Sequence, residues 1–295
     1  MADRDRIVAV TGATGRQGGA VTAHLLSDGW RVRALTRRPR SKQAQRLAGL
    51  GAEVVGADMA DRESLVRAFR GASGVYSVQN GMVGGFEAEV VHGRNVGDAA
   101  REAGVSHVVY GSAGTGESGT GIESWESKLR VQAHLEALDL PLTVLRPTAF
   151  MELMTDRTFY PAVSTWRLMP MLTGADLPIA WICLDDLGAI AAKAFADPDR
   201  FAGADLKLTA DVRSNAECRE IWRTVMRTPP RRFPMPVWLF ERMVGTDLTT
   251  MWRWLAEANV QFYTAATREI LPSARTVQDW LANHGSARRR GLDRR

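Results

Sequence analysis

The chain has 295 residues, of which 45% are hydrophobic and 24% are charged, as in ordinary water-soluble globular proteins. No apolar stretch approaches the ~18 residues that span a bilayer, and the first residues lack the basic and apolar regions of a secretory signal. The formal net charge is +5, and the five arginines and one aspartate of the terminal RRRGLDRR contribute +4 of it. The charge therefore favours a solvated, disordered tail and excludes a broad nucleic-acid-binding face.

The two cysteines and the scattered histidines predict no disulfide framework, metal centre or catalytic triad. Cys183 and Cys218 lack ligand spacing, and the five histidines form no cluster in the sequence. This usage favours a reducing, cytoplasmic setting. The expected partner is a small apolar substrate, with neither nucleic acid nor membrane. A homodimer and a regulatory protein partner both stay open.

Short β-branched runs alternate with helical patterns through the first half of the chain. The predicted strands are Ile7–Val10, Arg31–Leu35, Glu53–Val55, Gly74–Val78, His107–Tyr110 and Leu142–Leu145. The predicted helices lie near residues 16–28, 41–50, 61–70, 86–103 and 124–138. This alternation predicts an α/β fold, a doubly wound parallel sheet with helices on both faces.

The alternation weakens after Pro147, where residues 148–178 are rich in Met, Pro and Thr and show no clear period. The elements predicted beyond this stretch are a strand at Ile179–Cys183, a helix over LDDLGAIAAKAF, a strand at Leu206–Leu208 and a helix at Asn215–Met226. We therefore expect three regions: a main domain over 1–148, a smaller α+β lobe over 149–285 whose strands can rejoin the main sheet, and the basic tail over 286–295.

The first predicted strand is followed by TGATGRQG, in which glycines recur at Gly12, Gly15 and Gly18. A glycine loop between a strand and a helix is typical of a phosphate-binding turn, in which the helix N-terminus offers N–H groups to the anion. A plain strand–helix turn is the alternative. The loop residues predicted to contact a dinucleotide are Gly12, Ala13, Thr14, Gly15, Arg16, Gln17 and Gly18.

Arginines follow the second predicted strand, where folds that prefer NAD usually place an acidic residue. The segment reads LTRRPR, and Arg37 lies 19 residues beyond Gly18. A guanidinium can bind a 2′-phosphate through two hydrogen bonds, whereas a carboxylate would repel it. Arg37 therefore predicts NADP(H) in preference to NAD(H), while Arg38 and Arg40 are as readily explained as a solvated turn.

Polar residues also follow the third and fourth predicted strands. Asp58 can accept a hydrogen bond from an adenine amino group and Met59 can cover its ring, although Asp58 or Asp61 can equally cap the next helix. Gln79 and Asn80 lie at the strand end where parallel sheets bind ligands, and we expect them to contact ribose or phosphate. A strand-end turn is the alternative interpretation of this pair.

These segments together resemble the NmrA-like family, a branch of the atypical short-chain dehydrogenases/reductases. The resemblance extends to about His284 and includes TGATGRQG, VRALTRRP, GAEVVGADMADRESL, HVVYGSAG, ESKLRVQAHLEALDLPLTVLRPTAFME, IAWICLDDLGAIA and VQDWLANHG. It implies a Rossmann domain that binds NADP(H) and a small C-terminal substrate lobe. Family members are of two kinds, reductases of quinones, dyes or phenylpropanoid ethers, and redox sensors that regulate a partner.

The resemblance also assigns candidate catalytic positions. Conventional short-chain reductases use a Tyr-x-x-x-Lys pair with a Ser; here Lys128 is present, Ser124 stands where the Tyr would be, and Ser112 matches the Ser. Lys128-Leu129-Arg130 is similar to the arrangement in benzylic ether and lignan reductases, which lack that Tyr. Lys128 is therefore either an acid–base catalyst or a ligand of the cofactor ribose.

The segment after the sixth strand passes the nicotinamide in the family, so the resemblance assigns Pro147 and Phe150 to the cofactor. Leu153 stands where many relatives have Asn. Trp125, Phe150, Met151 and Met154 can form an apolar substrate pocket, or they can be ordinary core. Two functions follow: an NADPH-dependent reductase of an apolar quinone, enone or aromatic acceptor, and a non-catalytic NADP(H) sensor.

Overall fold

The computed structural model describes residues 6–156, 164–230 and 235–283. Its strands are β1 (Ile7–Val10), β2 (Arg31–Thr36), β3 (Glu53–Gly56), β4 (Gly74–Ser77), β5 (His107–Gly111), β6 (Leu142–Pro147), β7 (Ala149–Phe150), β8 (Pro178–Ile182), β9 (Asp205–Leu208) and β10 (Asp211–Ser214). Its α-helices are α1 (Arg16–Ser27), α2 (Lys42–Gly49), α3 (Arg62–Phe69), α4 (Phe86–Glu102), α5 (Glu123–Glu136), α6 (Met169–Thr173), α7 (Leu184–Ala196), α8 (Pro198–Phe201), α9 (Asn215–Met226), α10 (Val237–Val244), α11 (Asp247–Glu257) and α12 (Ala265–Ile270). Residues 277–283 are also helical.

Seven strands form one sheet in the order β3-β2-β1-β4-β5-β6-β9. The pairs from β3 to β6 are parallel, and hydrogen bonds from the backbone N–H of Gly203 to Leu142 and of Val144 to Ala204 join the last pair. The order β3-β2-β1-β4-β5-β6 is that of a Rossmann sheet. The predicted α/β, doubly wound fold is confirmed.

The first six strands begin at the residues that the sequence predicts, and their ends differ by at most two positions. The apolar runs are buried on both faces of a parallel sheet, so they are easy to recognise. The sequence did not predict β7 and β10. Strand β7 follows Pro147 closely and is only two residues long, and β10 reads DVRS, which lacks an apolar run.

The chain divides into two compact units. Unit 1 contains Met1–Gly119, Glu123–Pro147 and Leu184–Lys207, and unit 2 contains Thr120–Ile122, Thr148–Cys183 and Leu208–Arg295. Residues Leu184–Lys207 thus belong to unit 1, although the sequence prediction assigned them to the second lobe. The expected tail, residues 286–295, lies outside the described residues.

Helix α7 belongs to unit 1 because it packs along α1. Its apolar residues are buried, and Gly188 lets the two helices approach, since a Cβ atom there would lie 2.7 Å from the carbonyl oxygen of Ala20. A side chain at Gly188 would therefore separate the helices.

Strand β9 is held beside β6 by an ion pair. The guanidinium of Arg146 is buried and donates to both carboxylate oxygens of Asp205, over 2.7 Å from Nε and 2.9 Å from Nη2. It also donates to Ser112 Oγ at 3.3 Å, to the Ala113 carbonyl at 3.2 Å and to Gln132 Oε1. One arginine therefore links the end of β5, α5, β6 and β9.

Unit 2 contains a second sheet in the order β10-β8-β7. Its central strand is antiparallel to β10 and parallel to β7. Trp181 on β8 is fully buried, and its Nε1 donates to the Arg213 carbonyl at 3.0 Å. This short sheet forms part of the core of the unit.

The buried imidazole of His107 on β5 makes the stability of the fold depend on pH. Thr143 Oγ1 donates to the Phe201 carbonyl and is 2.8 Å from His107 Nε2, so Nε2 carries a hydrogen. Burial lowers the pKa of His107 from 6.5 to about 4. Between these values the unfolded chain binds a proton that the folded chain does not bind.

We therefore expect the free energy of unfolding to be unaffected by His107 above pH 6.5. It should decrease as the pH falls from 6.5 toward 4, by about 3 kcal/mol in total. Urea unfolding at a series of pH values, for the protein and for His107→Gln, measures it. The variant should lose less stability than the parent over this range. Equal losses would show that His107 does not cause the dependence.

Candidate functional site

The glycine loop after β1 leaves no room for a side chain at Gly12 or at Gly18. Gly12 has φ +58°, and a Cβ atom there would lie 3.1 Å from Val78 Cγ1. A Cβ atom on Gly18 would lie 2.5 Å from the carbonyl oxygen of Gly12, which is closer than any side chain tolerates. The first glycine therefore sets the turn, and the third lets α1 begin directly against it.

The N-terminus of α1 has the features of an anion-binding end. Gly15 is its N-cap and supplies no side-chain acceptor, and the first turn contains no acidic residue. Thr11, the first residue of the glycine loop, fixes the loop to the segment after β4, since its hydroxyl accepts from the Val78 backbone N–H at 2.9 Å. The backbone N–H groups of the first turn carry the positive end of the helix dipole.

Gln79, directly after β4, connects several of the predicted contacts. Its carbonyl oxygen accepts from Lys128 Nζ at 3.5 Å, and its Nε2 lies 3.0 Å from Ser77 Oγ and 3.9 Å from Met59 Sδ. Its Oε1 is buried without a hydrogen-bond partner among the described residues. An acceptor left in this state favours a ligand that brings a donor, such as a hydroxyl group.

The structure shows which of the two acidic residues after β3 caps the next helix. Asp61 caps α3, since its Oδ1 accepts from the Ser64 backbone N–H at 3.1 Å. Asp58 does not cap the helix, and its Oδ1 accepts from the Ala60 N–H at 3.0 Å in a turn. Asn80 makes a similar turn, accepting from Met82 N–H at 3.0 Å.

Arg37 follows β2 directly and is exposed, as are Arg38 and Arg40. Within the described ranges the guanidinium of Arg37 makes no hydrogen bond or ion pair with another side chain. Arg16 and Gln17 lie in the first turn of α1, where Gln17 Oε1 accepts from the Tyr76 hydroxyl at 3.4 Å.

Lys128 forms a buried ion pair that the sequence analysis missed. Its Nζ lies 2.6 Å from Glu89 Oε1, and the side chains are 11% and 1% exposed. The other carboxylate oxygen accepts from Ser127 Oγ at 2.6 Å. Glu89 looks like one of several surface acids of α4, and the only available signal was its spacing from Gly93 and Gly97 on the same helix face.

Ser112 and the tyrosines of β4 and β5 are deeply buried. Ser112 has no exposed surface, and its Oγ accepts from Arg146. Burial raises the pKa of Tyr76 and of Tyr110, and the charge of Glu89 raises the pKa of Tyr110 further. The raised pKa makes each phenol a weaker proton donor than an ordinary tyrosine.

The predicted pocket residues lie in different units. Trp125 of unit 1 is buried and packs on the backbone at Gly114, where a Cβ atom would lie 2.6 Å from its ring. In unit 2, Phe150 is half-buried on β7, whereas Met151 and Met154 are buried. The two methionines thus belong to the core of unit 2. Pro147, predicted for the cofactor, is buried at the end of β6.

Within the parts of the chain that the structure describes, no three His, Cys, Asp or Glu side chains come close enough to hold a metal ion. No helix in the same ranges is both long and apolar enough to cross a membrane.

Comparison with known proteins assigns this chain, with its Rossmann sheet and its glycine loop after β1, to a family. The model of the NmrA-like family matches residues 4–281, so the chain belongs to the NmrA-like family. The NmrA-like family domain-containing oxidoreductase malD of Malbranchea aurantiaca is 29% identical over 270 residues, covering 82% of this chain and 79% of the relative.

Two solved structures share the fold at low identity. NmrA, described as a negative transcriptional regulator in complex with NADP, gives a TM-score of 0.78 at 18% identity, with 98% of each chain covered. The triphenylmethane reductase of Citrobacter sp., complexed with NADP(H), gives 0.76 at 20% identity, with 94% of this chain and 99% of that chain covered.

The contact between Gly18 and Gly12 predicts a cost for any side chain in the loop. We expect Gly18→Ala to lower the free energy of unfolding by about 1–3 kcal/mol, because backbone must move to admit the methyl group. Gly49→Ala is the control, since a Cβ atom at this helical position meets no atom within 4 Å. The control should be neutral or slightly stabilising in urea unfolding; a similar loss in both variants would contradict the steric explanation.

Proposed function

We propose that the protein is an NADP(H)-dependent reductase of an apolar quinone, enone or aromatic acceptor. The observation that carries the proposal is the position of Lys128, whose ammonium lies at the carbonyl of Gln79, one residue from the Val78 side chain that packs on Gly12. A donor group and the glycine loop thus both contact the segment just after β4, at the carboxyl edge of one sheet, where doubly wound folds bind ligands. The names of malD and of the triphenylmethane reductase support a reductase.

The residues present fit NADP(H). The tight turn at Gly12 and Gly18 and the N-terminus of α1, which has no side-chain cap, suit a pyrophosphate, and the buried Oε1 of Gln79 suits a ribose hydroxyl group. We assign Arg37 to the 2′-phosphate because it is exposed and directly follows β2. The remaining assignments are Asp58 and Met59 to the adenine, Asn80 and Lys128 to the ribose side, and Pro147 and Phe150 to the nicotinamide.

When bound, NADPH supplies a hydride to the acceptor. Lys128 is the proposed acid, because an ammonium has three N–H donors and only two point to the Glu89 carboxylate and the Gln79 carbonyl. We assign the third to the ribose before the reaction, and it can transfer its proton to the acceptor oxygen as negative charge develops there; the amine then recovers a proton from solvent. Orientation of the acceptor beside the cofactor accounts for the rest of the rate enhancement, because a reduced quinone or enone anion needs only a proton.

Ser112 is the second catalytic candidate from the resemblance. Its complete burial and its bond to Arg146 favour a positioning role, in which it holds the end of β5 against β6. For the acceptor, Trp125 is the proposed apolar contact in unit 1, and Phe150 stays a prediction from the sequence; the buried Met151 and Met154 belong to the core of unit 2.

A non-catalytic NADP(H) sensor is the second candidate function. Ser124 at the position of the catalytic tyrosine favours it, as does the regulator NmrA among the proteins of the same fold. In that case nucleotide binding would shift the population of conformations recognised by a protein partner.

Arg37 provides a test of cofactor preference. We expect Arg37→Ala to weaken NADPH binding about 10- to 100-fold, the effect of losing one charged hydrogen-bonded contact, and to change NADH binding little. Fluorescence titration of both nucleotides measures the affinities, and Arg40→Ala on the same exposed segment is the control. Equal losses for NADPH and NADH would remove Arg37 from the 2′-phosphate site.

Lys128 provides a test of the reaction. NADPH oxidation is followed by absorbance with a panel of quinones, enones and triphenylmethane dyes. We expect Lys128→Met to lower kcat/KM by about 10²- to 10⁴-fold, the usual contribution of an acid–base group. Lys193→Met, at an exposed lysine of α7, should retain the activity.

If the protein binds NADPH but oxidises it with no acceptor of the panel, the reductase proposal fails and the sensor remains.

A further inference from the structure

We infer that Glu89 is a positioning residue, which aims the ammonium of Lys128 at a bound nucleotide. This inference rests on the proposed binding of NADP(H) but not on turnover of an acceptor. No motif of the sequence analysis includes Glu89, and the structure places it at the N-terminal end of α4, against α5.

Both oxygens of the Glu89 carboxylate accept hydrogen bonds from side chains. Oε1 accepts from Lys128 Nζ and Oε2 accepts from Ser127 Oγ, each over 2.6 Å. With 1% of the side chain exposed, water does not compete for either oxygen. Two short hydrogen bonds from adjacent residues of α5 therefore fix the carboxylate, and the carboxylate in turn fixes the ammonium.

The packing of α4 on α5 sets the distance between the two groups. Glu89, Gly93 and Gly97 recur every four residues and share one face of α4. Cβ atoms on the glycines would lie 2.4 Å from Val131 and 2.5 Å from Leu135 of α5, so the backbones approach more closely than side chains would allow. The Glu89 side chain then spans the gap between the two helices and reaches Lys128.

The turn after β4 also leaves space for the carboxylate. A Cβ atom on Gly81 would lie 2.8 Å from Glu89 Oε2 and 2.3 Å from the ring of Phe86. This turn begins with Gln79, whose carbonyl is the other acceptor for Lys128. Carboxylate and carbonyl thus hold two N–H groups of the ammonium and leave the third for a ligand.

Stability alone does not account for the buried pair. Ion pairs removed from water lose hydration, and apolar residues of similar volume often serve the fold equally well. The same two helices carry an exposed pair, Arg130 with Glu87 at 2.6 Å, which links them at the surface. The buried pair differs in placing a charged donor at the edge of the sheet where the glycine loop lies.

A double-mutant cycle on NADPH affinity tests the inference. Glu89→Gln and Lys128→Met should each weaken NADPH binding about tenfold, the ratio that corresponds to 1.4 kcal/mol. The double variant should bind about as weakly as Lys128→Met alone, because Glu89 acts through Lys128. Glu87→Gln, which breaks the exposed pair on the same helix, should bind like the parent protein. Thermal unfolding of each variant confirms that it is folded.

Three results would overturn the inference. They are an unchanged affinity in Glu89→Gln, effects that multiply in the double variant, and an equal loss in Glu87→Gln. A parent protein that does not bind NADPH would overturn both this inference and the proposed function. If the effects of Glu89→Gln and Lys128→Met on NADPH affinity are coupled but the protein reduces no acceptor, the role of Glu89 is upheld and only the reductase is rejected.

Glu89→Asp separates position from charge. It keeps the carboxylate but withdraws it by one methylene group, so the bonds to Ser127 and Lys128 cannot both persist. We expect about tenfold weaker NADPH binding, as in Glu89→Gln. Parent-like affinity would show that charge alone matters and would overturn the positioning role.

Discussion

A carboxylate enclosed by protein must be matched by donors, and around Glu89 this requirement organises the neighbouring structure. Its two oxygens receive hydrogen bonds from Ser127 and Lys128, so the first two turns of α5 have to lie against the start of α4. The glycines at 93 and 97 make that approach possible farther along the helices. Without the approach the charge would be buried unpaired, at a cost of several kcal/mol.

The same constraint links the helix layer to the edge of the sheet. Lys128 also donates to the carbonyl of Gln79, and Gln79 follows the strand end that packs on the glycine loop. The loop, the strand end and the helix pair are therefore mechanically connected within unit 1. In the proposed function this connection brings a phosphate-binding turn and a proton donor to one ligand.

The sequence predicts the parts of this arrangement that depend on neighbours in the chain. Strand starts, the turn at Gly12 and the close packing at Gly18 follow from local patterns, because burial and backbone conformation select the residue types. The partner of Lys128 does not follow, since Glu89 is 39 positions away and any acid of α4 would look alike. Asp205 was missed as the partner of Arg146 for the same reason, although the sequence analysis allowed strands of the second lobe to rejoin the main sheet, as β9 does.

The return of Leu184–Lys207 to unit 1 has a consequence for synthesis of the chain. The 60 residues from Thr148 to Lys207 must be made before α7 can cover α1 and β9 can complete the sheet. At the usual rate of translation this takes roughly 3 to 12 s, during which the apolar face of α1 has no cover. A recombination event that joins another protein after Pro147 would remove α7 and β9 from unit 1 and make this exposure permanent.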